Sequence, residues 1–238
     1  TYGGLIVTTR NTTAQVLEIM RSIADFLKKE RFVKWVYKCI PHIYHRYPSE
    51  SDLYALFRLE ARLIGRNISS TVQLDNSLRL RADRRSRMKK AEQAGLRVVE
   101  TTEFSPFWKV LDANLQERFH VKPVHSLDEI VLLHSRFSDR IRHFVTMRGD
   151  EILAGSVIYD TGIVAHAQYT SASAEGKASG ALDLLYARLI GEVFADRKWF
   201  DFGQSTEDMG HYLNEGLIAQ KEGFGGRGVA YDIYEITL

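Results

Sequence analysis

Residues 12 to 30 place Val16, Ile19, Met20, Ile23, Phe26 and Leu27 three or four positions apart, with Lys28-Lys29-Glu30 in the last turn. That spacing predicts an amphipathic helix. Phe32 to Ile40 alternates as a strand, Pro41 to Pro48 reads as a loop, Glu50 to Ile64 as a second helix, and Ser69 to Leu74 as a strand. Tyr2 to Val7 opens the chain as a strand entered mid-fold. A helix then ends at Gly95, and seven of the twelve residues from Arg79 to Lys90 are basic. Leu96 to Glu100 is a strand. Phe104 to Phe119 is a helix with Phe107, Trp108, Leu111 and Leu115 on one face, and Ser126-Leu127-Asp128-Glu129 opens another with a capping box. Strands 141–148, 152–159 and 163–171 are joined by Gly149-Asp150 and Asp160-Thr161-Gly162, links short enough to require antiparallel hairpins. A helix from Ala181 to Ala195 leads to the strand Trp199 to Phe202. Gly203 and the Ser, Thr, Glu and Asp at 205–208 then predict a strand-to-helix junction, with a helix running on through Leu213 and Leu217 to Glu222. The alternating strand Val229 to Ile236 closes the chain.

Antiparallel strands joined to strand-helix-strand elements give a mixed, mostly antiparallel sheet flanked by helices, an α/β (α+β) architecture. Composition narrows the class only at the edges. The 238 residues are 45% hydrophobic and 26% charged with a net charge of +2, which is ordinary for a globular chain and does not by itself call for nucleic acid. The single cysteine, Cys39, excludes an intrachain disulfide and a cysteine-based metal site, and fits a reducing, cytoplasmic location. No stretch approaches the ~20 apolar residues of a membrane span. The chain begins with Thr inside a strand-like segment, so further residues are expected upstream.

The closing block carries a resemblance. Asp201-Phe202-Gly203-Gln204-Ser205, Leu213-Asn214-Glu215-Gly216-Leu217 and Gln220-Lys221-Glu222-Gly223-Phe224-Gly225-Gly226 resemble the end of FemAB-like members of the GNAT acyltransferase superfamily. Arg84-Arg85-Ser86-Arg87-Met88-Lys89-Lys90-Ala91 is similar to the basic helix that opens their second domain. The resemblance implies two GNAT-like domains in tandem. Residues 1–75 would be the latter part of the first, and residues 76–238 the C-terminal GNAT-like acyltransferase domain. It also implies an acyl-CoA donor, acetyl-CoA in the simplest case, and an amine acceptor, small molecule or peptide. The donor's pyrophosphate would lie on a turn followed by a helix N-terminus, where free amides and the helix dipole converge on an anion. Thr170, Gly176, Lys177, Ala178, Ser179 and Gly180 occupy that slot, although Glu175 replaces the usual Gln or Arg and the glycines are sparse. The alternative reading is aminoacyl transfer from aminoacyl-tRNA to a peptidoglycan precursor, with the basic helix on tRNA phosphates. Against it, no long coiled-coil heptad pattern is visible. A non-catalytic binding module of the same fold is the third.

Attack of an amine on a thioester or ester needs a general base. Histidine is the residue type whose ordinary range suits a base near neutral pH, which makes His211 and His166 candidates, and Ser205 is a further catalytic candidate in the expected junction. Ser205, Glu207 and Asp208 are equally explained as helix caps. Tyr169 is a candidate proton donor to the leaving thiolate. Gln204, Asn214 and Lys221 are candidates for binding the acceptor, the last two sharing a helix face seven residues apart. The His42, Tyr44, His45 and Tyr47 group lacks acidic partners at ligand spacing, so no metal is expected.

Overall fold

The computed structural model describes residues 3–238. Tyr2, which opens the strand expected at the start, lies outside the described residues, and residues 3–7 form no strand. In chain order the elements are α1 (Thr13–Lys29), β1 (Lys34–Lys38), α2 (Ser51–Arg58), β2 (Arg62–Gln73), α3 (Ala82–Gln93), β3 (Arg97–Glu100), α4 (Ser105–Phe119), α5 (Leu127–Arg136), β4 (Ile141–Arg148), β5 (Glu151–Asp160) and β6 (Val164–Ala172). There follow α6 (Ala174–Ser179), α7 (Ala181–Arg188), β7 (Trp199–Gln204), β8 (Thr206–Glu207), β9 (Tyr212–Leu213), α8 (Glu215–Glu222) and β10 (Arg227–Thr237). The chain divides into two compact units. The first holds residues up to Ser69 with Gln204–Ile218 and Gly228–Leu238, and the second holds Ser70–Gly203 with Ala219–Arg227.

In the first unit β10 lies between β1 and β2, and β1 runs antiparallel to it from Lys34↔Thr237 to Lys38↔Ile233. Val16 and Met20 of α1 and Ala55 and Leu56 of α2 pack with Tyr37 and Ile236. The second helix stops at Arg58, short of the expected Ile64. Glu60 takes the left-handed conformation (φ 54), the Ala61 amide bonds back to Leu56, and β2 starts at Arg62. The apolar spacing from Leu53 to Phe57 belongs to a helix, but from Arg62 onward the chain pairs as a strand twice as long as the sequence suggested.

The second unit carries the sheet order β2-β7-β6-β5-β4-β3, entered by the last residues of β2. β3–β4, β4–β5 and β5–β6 are antiparallel, while β6–β7 is parallel, the mixed and mostly antiparallel sheet that the element order predicts. One face is covered by Leu185, Tyr186 and Leu189 with Phe194, packed on Phe144, Ile158, Ala165, Phe200, Phe202 and Phe224. The other is covered by Phe104, Phe107, Trp108 and Leu111 of α4 and Ile130 of α5, packed on Ile141, Val145, Val157 and Tyr169. The predicted capping box forms: the Ser126 hydroxyl accepts from the Glu129 amide, and Glu129 accepts from the Ser126 amide. The expected helix 181–195 is regular only to Arg188 and continues as a wide turn, Leu189–Val193.

Candidate functional site

The alternation of Trp199-Phe200-Asp201-Phe202 sends two phenylalanines into the α7 side of the sheet and Asp201 to the other side, where it is 0% exposed. A bare carboxylate there would be prohibitively costly, so it must be partnered. His166 Nδ1 lies 2.7 Å from Asp201 Oδ2, the Thr71 hydroxyl donates to Oδ1 at 3.2 Å, and the Gly203 amide donates to Oδ1 at 3.1 Å. An ionised carboxylate only accepts, so the His166 proton sits on Nδ1 and Nε2 carries the free lone pair. The imidazole is partly exposed, at 19% of its side chain.

His166 and Asp201 are also register partners, the last of only three pairs between the parallel strands, after Val164↔Trp199 and Ala165↔Phe200. Both strands continue past that point, β6 to Ala172 and β7 to Gln204, so they part at the dyad. Two irregularities sit just beyond it. Gln168 is an extra residue in β6, because Val157 pairs with Tyr169 while Ile158 pairs with Ala167. Gly203 takes a left-handed φ of +75, and a Cβ there would meet His166 Cε1 at 3.4 Å. Lys221 donates to the Gly203 carbonyl at 2.9 Å. Burial pushes its ammonium down to about 8, partly offset by the Asp201 carboxylate.

The slot expected to hold a pyrophosphate is not a glycine turn but the helix α6. Ser173 caps it, and its hydroxyl accepts the Gly176 amide at 3.0 Å. Gly176 is buried because a Cβ would lie 2.0 Å from the Leu153 carbonyl, and Gly180 turns left-handed (φ +78) beside the Arg87 carbonyl. Glu175 pairs with Arg148, the Lys177 ammonium donates to Asn114 Oδ1 at 2.7 Å, and the Ser179 hydroxyl bonds back to the Gly176 carbonyl. Ala178 is exposed. Thr170 is exposed, but its hydroxyl lies 2.5 Å from that of Tyr186. The Tyr169 hydroxyl is held by His125, through the ring at 2.5 Å and the amide at 3.2 Å.

The helix predicted to start at Ser205 does not form there. Ser205 donates its amide to Ile68, Thr206 and Glu207 pair with Leu213 and Tyr212 as β8 and β9, and Asp208 and Met209 adopt positive φ. Gly210 (φ +101) permits the tight return, since a Cβ would lie 1.9 Å from the Arg66 carbonyl. The cap is instead Asn214, whose Oδ1 accepts from the Leu217 amide at 3.0 Å. Gln204, Ser205, His211 and Asn214 thus belong to the first unit, whereas His166, Tyr169, Thr170, Gly176, Gly180 and Lys221 belong to the second. Gln204 and His211 are exposed and Ser205 is buried.

Asp201, Thr71 and Gln168 were not among the sequence candidates. Asp201 alone had a readable signal, a carboxylate flanked by phenylalanines in a strand, which has to find partners. Part of the basic cluster is paired within the unit: Arg84 and Arg87 both pair with Asp183 at 2.9 Å, and Arg81 pairs with Asp83. Among the described residues no group of three or more His, Cys, Asp or Glu is placed to hold a metal ion, and no helix is long and apolar enough to cross a membrane.

Residues 79–212 match the family model described as an acetyltransferase (GNAT) domain. The match spans more than half of the chain, which therefore belongs to that family of N-acyltransferases. The fold is that of its FemAB-like branch. FemX superposes with a TM-score of 0.72 at 11% identity, covering 99% of this chain and 79% of FemX. L-PGS from Bacillus licheniformis superposes at 0.66 with 14% identity, covering 92% and 72% of the two chains. The C-terminal domain of a putative lysylphosphatidylglycerol synthetase from Agrobacterium fabrum gives 0.65 at 14%, covering 93% and 72%. No curated protein matches the sequence.

Proposed function

We propose that the protein transfers an acyl group, acetyl in the simplest case, from acyl-CoA to an amine at the point where β6 and β7 part. The observation that carries this reading is the His166–Asp201 pair, a partly exposed imidazole whose Nδ1 faces a buried carboxylate at 2.7 Å. Nε2 takes the proton from the attacking amine as the nitrogen bonds to the acyl carbon. The carbon–sulfur bond breaks, and the imidazolium returns that proton to the leaving thiolate. Asp201 stabilises the imidazolium and holds its tautomer. Backbone amides at the Gln168 bulge polarise the acyl carbonyl, and Lys221 brings positive charge to the acceptor's side of the reaction.

A second donor, aminoacyl-tRNA, is favoured by one observation: α6 replaces the phosphate turn, and its Gly176 amide is engaged by Ser173. The same transfer then breaks a carbon–oxygen ester bond. A fold neighbour whose name joins lysine to phosphatidylglycerol supports that reading. Either donor places the reaction in the cytoplasm, where the buried Cys39 thiol stays reduced. The purified protein is incubated with a panel of primary amines and peptides and either radiolabelled acetyl-CoA or tRNA charged with labelled amino acids. Label passing to an amine, and lost in His166→Gln, supports the proposal and names the donor. Label passing from neither donor overturns it.

A further inference from the structure

Two strands that part after three pairs no longer fix each other's spacing, and the gap keeps its width only if something stands in it. The bulge at Gln168 decides which residue meets that something. Up to Ala167, alternation puts Ala165 and Ala167 on the α7 side with Phe200 and Phe202. Without the extra residue Thr170 would face the opposite side, with His166. The register shift reverses the parity, so Thr170 pairs with Ser156 and turns to the α7 side.

There it meets Tyr186. The Tyr186 ring stands edge-on to Phe202 at 4.8 Å and Phe200 at 5.9 Å on β7, and to Phe224 at 5.3 Å. Its hydroxyl lies 2.5 Å from Thr170 Oγ1 on β6, which is itself 3.2 Å from Ser156 Oγ on β5. One stiff side chain, 4% exposed, therefore touches both arms of the fork, by its ring on one side and its oxygen on the other. We infer that Tyr186 is the strut that sets the opening between β6 and β7, and hence a positioning residue for whatever is held beside His166. Burial pushes the phenol up to about 12, so it keeps its proton and the bond to Thr170 at any working pH.

The test compares Tyr186→Phe, which removes one oxygen and leaves the ring, with Thr170→Val and the double variant. Amide hydrogen exchange is followed in 167–172 and 201–204 against the β4–β5 hairpin. Each single variant is expected to speed exchange about fivefold in both arms of the fork, the equivalent of one lost hydrogen bond of ~1 kcal/mol. The double variant is expected to add nothing beyond Thr170→Val, which also loses the Ser156 contact, and the hairpin away from Ser156 to stay unchanged. Unchanged arms, additive effects, or acceleration spread evenly over the unit would overturn the strut. Its kinetic consequence rests on the acyl-transfer reading: the KM for whichever donor proves active rises about fivefold while kcat holds, and a fall in kcat alone counts against it. If the native protein uses neither donor, the acyl-transfer reading falls while the exchange data still decide the strut. Should Tyr186→Phe fail to fold, Thr170→Val alone decides it, because its change lies at an exposed residue.

Discussion

Asp201 and Lys221 grip one residue from both sides: the carboxylate accepts the Gly203 amide at 3.1 Å, and the ammonium donates to the Gly203 carbonyl at 2.9 Å. The left-handed kink that ends β7 is therefore pinned by the same carboxylate that orients His166. The partner of the proposed base also holds the backbone here, so substitutions should move stability and, on the acyl-transfer reading, activity as well.

Lys221 leaves a pH signature. Its folded value of about 8 lies below the ordinary 10.5, so below pH 8 the protein carries a penalty for a buried charge that the unfolded chain does not. The unfolded chain binds the extra proton between pH 8 and 10.5, so Lys221 should contribute a rise in stability of about 3 kcal/mol across that window, opposed from pH 9 upward by the buried Cys39 thiol, which burial raises from 9.0 to about 12. Urea melts at several pH values should show the native protein gaining that much over Lys221→Met between pH 8 and 10.5. A difference between the two proteins that does not change with pH would contradict the assignment.

Asp201→Asn should reduce kcat by about 10²–10⁴ with the fold retained. The introduced amide donates where the carboxylate accepted, which moves the His166 proton from Nδ1 to Nε2 and removes the lone pair proposed as the base. Rate–pH profiles of the variant, beside its circular dichroism, separate this from unfolding.

Gly176→Ala should cost about 1–3 kcal/mol or more, read by denaturant melts, because the new methyl would stand 2.0 Å from the Leu153 carbonyl. A glycine that served only to bring its amide to a phosphate would tolerate alanine with little loss of stability, so intact stability would restore the phosphate-turn reading.

His143 is 1% exposed, stacked on Phe104 at 4.7 Å, and neither ring nitrogen has a hydrogen-bond partner. Burial, with a smaller contribution from His134, pulls its value down to about 4. Above pH 6.5 both states are neutral and nothing changes. As pH falls from 6.5 to 4 only the unfolded chain takes the proton, so stability should drop by about 3 kcal/mol. His143→Phe should abolish that slope and stabilise the protein at neutral pH by about 1 kcal/mol, since it removes orphaned polar atoms.

Asp183, 3% exposed, is the anchor of the basic helix through Arg84 and Arg87. Asp183→Ala leaves two guanidinium groups without their carboxylate and should destabilise the second unit by about 3–5 kcal/mol. Thermal melts that show less than 1 kcal/mol of loss would return those arginines to the role of a solvated, ligand-facing surface.

What the sequence determined by itself is the local order. Helical spacing, strand alternation, the Ser126 capping box and the two short links between 141 and 171 specify most elements and the mixed sheet, because those signals depend on neighbours within a few residues. The tertiary structure decided the rest. Residues 205–210 carry the composition of a helix start, yet they turn as a hairpin because Ser205 pairs with Ile68 and Gly210 sits against Arg66. Residues 174–179 look like a phosphate turn, yet they form a helix because Gly176 packs onto Leu153. Asp201 acquires its partners Thr71 and His166 from 130 and 35 residues away along the chain. No local pattern records such partners, because a buried charge is satisfied by whatever the fold brings beside it.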